Sequence, residues 1–131
     1  MEIISTSAKQ TEDIAFEYAK TLVKGDVVVL SGDLGAGKTA FTKGVAKYFG
    51  ISGVTSPTYA YLNVSGNLLE LFDCYRLSCG EDAERLGLTD YFNGDNICLI
   101  EWAENIEDAL PDIVKTVTIL KTGENERKII L

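Results

Sequence analysis

The stretch Asp26-Val27-Val28-Val29-Leu30-Ser31-Gly32-Asp33-Leu34-Gly35-Ala36-Gly37-Lys38-Thr39 decides how this chain folds. Its first half is a continuous apolar run rich in β-branched residues. Such a run reads as a strand buried on both faces, the usual state in an α/β sheet. Its second half has the form Gly-x-x-x-x-Gly-Lys-Thr. The glycines let the backbone wrap tightly without Cβ clashes, so that the loop's N–H groups point inward as an anion-binding nest. From Thr39 to Phe49 apolar residues (Phe41, Val45 and Tyr48 among them) recur at helical spacing, and Gly50 ends the run. A buried strand before the loop and a helix after it are the context that a phosphate-binding loop requires. The positive end of the helix dipole adds to the nest. Lys38 is expected to reach the β- and γ-phosphates of a nucleoside triphosphate, and the Thr39 hydroxyl to ligate Mg²⁺. The nucleotide contacts expected along the loop and helix start are Asp33, Gly35, Ala36, Gly37, Lys38, Thr39 and Ala40.

Outward from this core, the remaining elements are legible as an alternating pattern. Ile3-Ile4-Ser5 reads as a short first strand. Ser7 opens a helix with Gln10 three residues on as a capping box, and Gly25 is its expected stop. Thr58 to Val64 and Leu68 to Phe72 read as a hairpin about Ser65-Gly66-Asn67. Glu81 to Leu86 is a short helix, and Asn96 to Ile100 a second buried strand. Val114 to Leu120 and Lys128 to Leu131 form a terminal antiparallel pair. The expected fold is therefore α/β, a P-loop NTPase-like domain with a mixed β-sheet flanked by helices, a single domain over residues 1–131.

Composition narrows the chemistry. The chain has 131 residues, 46% of them hydrophobic and 24% charged, an ordinary balance for a soluble globular protein. It has no histidine, which removes Ser-His-Asp and Cys-His catalysis and every His-containing zinc site. Its three cysteines, Cys74, Cys79 and Cys98, show no Cys-x-x-Cys spacing. Two of them lie in strand-like apolar runs, where cysteine acts as a small hydrophobe; a three-cysteine metal site stays formally open. No run of about 18 apolar residues suggests a membrane span, and the N-terminus does not read as a signal peptide. The expected compartment is the cytoplasm. The net charge is −8, whereas gripping a nucleic-acid backbone calls for a basic stripe. Any work on nucleic acid is expected to go through a partner.

Phosphoryl transfer needs carboxylates near the metal and a group that aims the nucleophile. Two acids sit just past apolar runs: Asp73 after Leu68 to Phe72, and Glu101 after Ile97 to Ile100. Ligands of open α/β sheets collect at the carboxyl ends of strands, so both acids face the loop if their strands run parallel to Val27–Leu30; otherwise they are solvated strand-end acids. Ser56-Pro57-Thr58-Tyr59 reads equally as a switch-like segment near the γ-phosphate or as a strand-entry turn.

Taken in order, Gly32 to Thr39, Ser56 to Tyr59, Phe72-Asp73-Cys74-Tyr75-Arg76-Leu77, Gly87 to Phe92 and Ile100-Glu101-Trp102 resemble the TsaE family, the bacterial ATPases of tRNA threonylcarbamoyladenosine biosynthesis. The resemblance covers residues 32 to 102. It implies ATP and Mg²⁺ as ligands and Glu101 as a metal ligand beside Thr39. It also implies that Asp73 orients the attacking water, that Ser56 and Thr58 form a nucleotide-sensing segment, and that Trp102 packs by the nucleotide. Tyr75 and Arg76 would support the site or a partner contact. Thr11 sits where the family often has a threonine near the nucleotide. Lys38, Asp73 and Glu101 would form the catalytic set. The partners implied are TsaD and TsaB, which would carry out the transfer, with tRNA met only through that complex. The chain departs from the family pattern at Leu71, where histidine is usual, and at Ala103, where proline is usual. A small kinase of a nucleoside or metabolite is the chief alternative, but three arginines, Arg76, Arg85 and Arg127, are few for a lid over phosphates. A GTPase would need an Asn-Lys-x-Asp segment, and none is present. A non-catalytic nucleotide-binding adaptor is the other, against which Asp73 and Glu101 argue.

Overall fold

In the computed structural model, seven strands form one mixed sheet in the order β1-β7-β6-β2-β5-β4-β3. Residues 1–33, 36–51 and 68–131 are described in full, and 61–63 by their backbone. The strands are β1 (Glu2–Ser5), β2 (Val27–Ser31), β3 (Tyr61–Asn63), β4 (Leu69–Asp73), β5 (Ile97–Glu101), β6 (Lys115–Gly123) and β7 (Glu126–Ile130). The helices of the α type are α1 (Ala8–Ala19), α2 (Lys38–Tyr48) and α3 (Gly80–Arg85), with short 3₁₀ segments at Leu88–Tyr91 and Ala103–Ala109.

The centre of the sheet is parallel. β5 lies between β2 and β4, and β6 flanks β2 on the other side, all in one direction. β4 and β5 are buried at every position. The parallel condition on the two strand-end acids is thus met. The outer pairs are antiparallel: β3 with β4, β6 with β7, and β7 with β1.

Alternation along each strand sends side chains to two cores. Val28, Leu30, Leu69, Leu71, Leu99, Val117 and Ile119 pack under α1 and α2 with Phe41, Val45 and Ala15. Val27, Phe72, Cys98 and Ile100 pack on the opposite face with Ala83, Leu88, Ala103 and Ile106. Leu71 and Ala103, where the sequence departs from the family pattern, are both core residues, 0% and 1% exposed. The helices α1 and α2 meet closely at Gly44, where a Cβ would run into the Glu12 carbonyl oxygen and the Ala15 methyl.

The hairpin expected at 58–72 is present as β3 and β4, although 58–60 and the Ser65-Gly66-Asn67 turn lie outside the described residues. The first helix is shorter than expected. It ends at Ala19, because Lys20, Thr21 and Leu22 switch to i→i−3 bonds onto Glu17, Tyr18 and Ala19. Gly25 instead forms part of the turn into β2, at φ +96°. Ser7 caps α1 by accepting from the Gln10 N–H, while Gln10 Oε1 accepts from Thr6 N rather than closing the box on Ser7.

Candidate functional site

β2 delivers the chain to the loop at Ser31. Gly32 follows at φ +151°, and a Cβ there would lie 2.5 Å from the Ile119 carbonyl oxygen of β6. Only glycine fits so close a crossing. The loop then turns, with the Ala36 N–H donating to the Asp33 carbonyl at 3.0 Å. Gly37, at φ +104°, is the N-cap of α2 and has no side chain with which to cap that terminus. The first N–H groups of a helix have no partner within the helix, and such a terminus suits an anion.

Lys38 is 7% exposed, and its ammonium sits 3.9 Å from the centroid of the Trp102 ring. Trp102 is the one non-glycine at positive φ among the described residues, at φ 59° and ψ 37°. Such a conformation costs roughly 1–2 kcal/mol and turns the ring back over the lysine. Tyr75 meets Trp102 edge-on with ring centroids 5.0 Å apart.

The strand register brings the acids together. Leu30 pairs with Glu101 across β2 and β5, and Glu101 with Asp73 across β5 and β4. Both acids share the strand face of Leu71 and Leu99, the face that packs under α1 and α2. Both are buried, Asp73 at 5% and Glu101 at 4% exposure. Asp73 Oδ1 accepts from the Tyr75 N–H at 3.0 Å. Its Oδ2 is buried with no hydrogen-bond partner among the described residues. Burial raises the Asp73 pKa from its ordinary value, while the Tyr75 N–H and the charges of Lys38 and Arg76 pull it part of the way back. Around the acids, the Cys74 N–H donates to the Glu101 carbonyl at 2.9 Å, and Asn105 Nδ2 donates to the carbonyls of Cys74 and Tyr75 at 3.0 and 3.3 Å.

Among the described residues, cavities lie on either side of the loop. One, of about 240 Å³, is lined by Ser7, Thr11, Gly37, Ala40, Asn125 and Arg127. The Thr11 hydroxyl lies 2.7 Å from Ser5 Oγ. The other, of about 420 Å³, is lined by Gly32, Asp33, Trp102 and Glu104 among others. Thr11, Gly37 and Ala40 therefore meet on one side of the loop, and Asp33 and Trp102 on the other. Gly35, Ser56 and Thr58 lie outside the described residues. Thr39 is half-buried in the first turn of α2. Cys74 and Cys98 are buried, and burial pushes both thiols up to about 12. Sequence reasoning missed Asn105 and Arg127. Both act through main-chain carbonyls, which leave no mark in a motif; the scarcity of arginine in so acidic a chain was the one available signal for Arg127.

A family model, the threonylcarbamoyl adenosine biosynthesis protein TsaE, matches residues 5–129. The chain belongs to the TsaE family. It is 41% identical over 129 residues to the TsaE protein of Bacillus subtilis, covering 95% of this chain and 80% of that one. It is 37% identical to the TsaE protein of Treponema pallidum, covering 98% of both. Among solved structures, Bacillus subtilis YdiB superposes with a TM-score of 0.82 at 36% identity, covering 98% of this chain and 82% of that chain. TsaE membership places the chain in tRNA threonylcarbamoyladenosine biosynthesis rather than in metabolite phosphorylation. No helix among the described residues is long and apolar enough to cross a membrane.

Proposed function

We propose that this chain is the Mg²⁺-dependent, ATP-hydrolysing component of that biosynthesis, a single ATPase domain over residues 1–131 that acts in the cytoplasm with TsaD and TsaB. The observation that carries the reading is the Asp73 Oδ2 atom. It is a buried carboxylate oxygen with no hydrogen-bond partner among the described residues, on the same sheet face as Glu101 and close enough to Lys38 to feel its charge. A buried polar atom without a partner has a cost that a ligand or water removes.

The donor set fits a hard cation. Thr39 and Glu101 offer a hydroxyl and a carboxylate, and Mg²⁺ takes few protein oxygens and completes its shell with phosphates and water. When bound, the ion supplies neutralisation of the charge that develops on the phosphate oxygens. The chain's own groups do the rest. The loop amides and the α2 N-terminus cradle the phosphates. Lys38 exchanges the Trp102 ring for the β- and γ-phosphates. Asp73 Oδ2 accepts a hydrogen bond from the attacking water and aims its oxygen at the γ-phosphorus. Thr11 and Ala40 border the nucleoside end, and Trp102 screens the site from solvent. Gly35 and Thr58 complete the nucleotide contacts in this reading. The net charge of −8 leaves tRNA to the partners.

With Arg76 as the arginine whose charge is felt at Asp73, turnover by the chain alone is expected to be slow and to rise when TsaB and TsaD are added. Phosphate release measured with and without the two partners tests this, and equal rates would count against the partnership. Loss of threonylcarbamoyladenosine from tRNA on depletion of the protein is the matching cellular result.

A further inference from the structure

Arg127 stands 91 residues from Ala36 along the chain, yet its Nε donates to the Ala36 carbonyl at 3.1 Å. Its Nη1 donates to the carbonyls of Gly123 and Glu126 at 3.2 and 3.0 Å, closing the β6–β7 turn. One planar guanidinium therefore holds the terminal hairpin with one arm and the phosphate loop with another. The loop touches the same hairpin a second time, where Gly32 crosses the Ile119 carbonyl of β6. The hairpin thus seats the loop at both of its ends.

The peptide bond between Ala36 and Gly37 is trans, and a planar trans peptide points its C=O and N–H to opposite sides. Fixing the Ala36 oxygen on the hairpin turns the Gly37 N–H away from it. Gly37 is the N-cap of α2, so this N–H belongs to the helix terminus read above as the anion site. We propose that Arg127 is a positioning residue for phosphate binding: by clasping the Ala36 carbonyl to the β6–β7 hairpin, it aims the Gly37 N–H at the bound phosphate chain. The inference rests on the reading of residues 32–39 as a triphosphate site. Arginine suits the task because its donors diverge from a rigid plane, whereas lysine offers one centre on a flexible stem.

The test compares the full chain with Arg127→Ala and Arg127→Lys. Calorimetry measures binding of Mg–ATP and of Mg–tripolyphosphate, which has the phosphate chain but no nucleoside. Melting without ligand is recorded alongside. Both ligands are expected to weaken by a common factor of roughly tenfold or more in Arg127→Ala, the scale of one hydrogen bond from a charged donor. Arg127→Lys is expected to recover part of that loss. A lower melting temperature with both affinities unchanged would make Arg127 a hairpin staple only, and would overturn the proposal. So would weaker ATP binding with unchanged tripolyphosphate binding, which would put the side chain at the nucleoside end. Should Arg127→Ala fail to fold, Arg127→Lys decides: wild-type affinity for both ligands rejects the proposal, and a shared loss supports it. If the unaltered protein does not bind Mg–ATP, the site reading itself fails, and the proposal with it.

Discussion

The parallel centre of the sheet and its antiparallel flank are built to different rules. β5 is buried at all five positions. Its neighbours on both sides fix its register, so Leu30, Glu101 and Asp73 must end side by side. The flank is half-exposed: β6, parallel to β2 but antiparallel to β7, is exposed at Lys115, Thr116 and from Leu120 to Gly123, and β1 at Glu2 and Ile4. The centre places the groups proposed to meet phosphate, metal and water. The flank contributes carbonyls and one guanidinium that hold the loop from outside. Chemistry here sits where side-chain position is over-determined by burial, and adjustment sits where it is not.

The largest expected break in that comparison is Lys38→Ala. It removes the ammonium of the loop but touches neither sheet region, because the side chain lies against the Trp102 ring. Loss of one preorganised charge on the transferring phosphoryl group is worth about a thousandfold in turnover. Single-turnover phosphate release should fall by at least that much while the circular dichroism spectrum stays unchanged. Residual turnover near wild type would show that the loop is not the hydrolytic site.

Asp73→Asn comes next, at about a hundredfold in turnover, the scale for one water-aiming carboxylate. Its second effect has the opposite sign. Burial raises the Asp73 pKa in the folded chain above its unfolded value. The stabilising contribution of such a group is full below the unfolded pKa and is lost as pH rises through the folded one. At neutral pH the charged Asp73 thus burdens the metal-free fold. Asp73→Asn should therefore melt higher than wild type at pH 7 in chelator, and the gap should close as pH falls into the carboxylate range. A variant that melts lower at pH 7 would mean that the buried oxygen has a stabilising partner in the folded chain.

How far the sequence could be read follows from the same contrast. The strands of the centre announced themselves because burial on both faces demands an unbroken apolar run, as in Val27 to Leu30 and Ile97 to Ile100. Strand-end position then marks Asp73 and Glu101 from the sequence alone. The end of α1 was misplaced because Leu22 keeps the helical spacing and is itself buried, 8% exposed, although the backbone has already tightened. Nothing in Glu101-Trp102-Ala103 signals a left-handed tryptophan, since that conformation is imposed by the packing of the ring. Arg127 belongs to no motif for a related reason. Its partners among the described residues are backbone oxygens, one of them 91 residues away, and a carbonyl is the same in every residue.

The smallest effects set the scale of the contrast itself. Ile100 is 0% exposed in β5 and packs with Phe72, Cys98 and Ile106. Removing one methyl in Ile100→Val leaves a space that these neighbours fill only in part, at a cost of about 1 kcal/mol. Leu120 in β6 is 43% exposed, and Leu120→Ala strips three carbons yet should stay within about 0.5 kcal/mol of wild type, because much of that side chain already meets water. The deletion of one carbon should therefore outweigh the deletion of three. Urea midpoints compared at equal slope measure both changes. If Leu120→Ala proved the more damaging, the flank would share the rigidity of the centre. The loop would then be gripped by a hairpin as fixed as the strands that carry the acids, rather than by an edge with room to give.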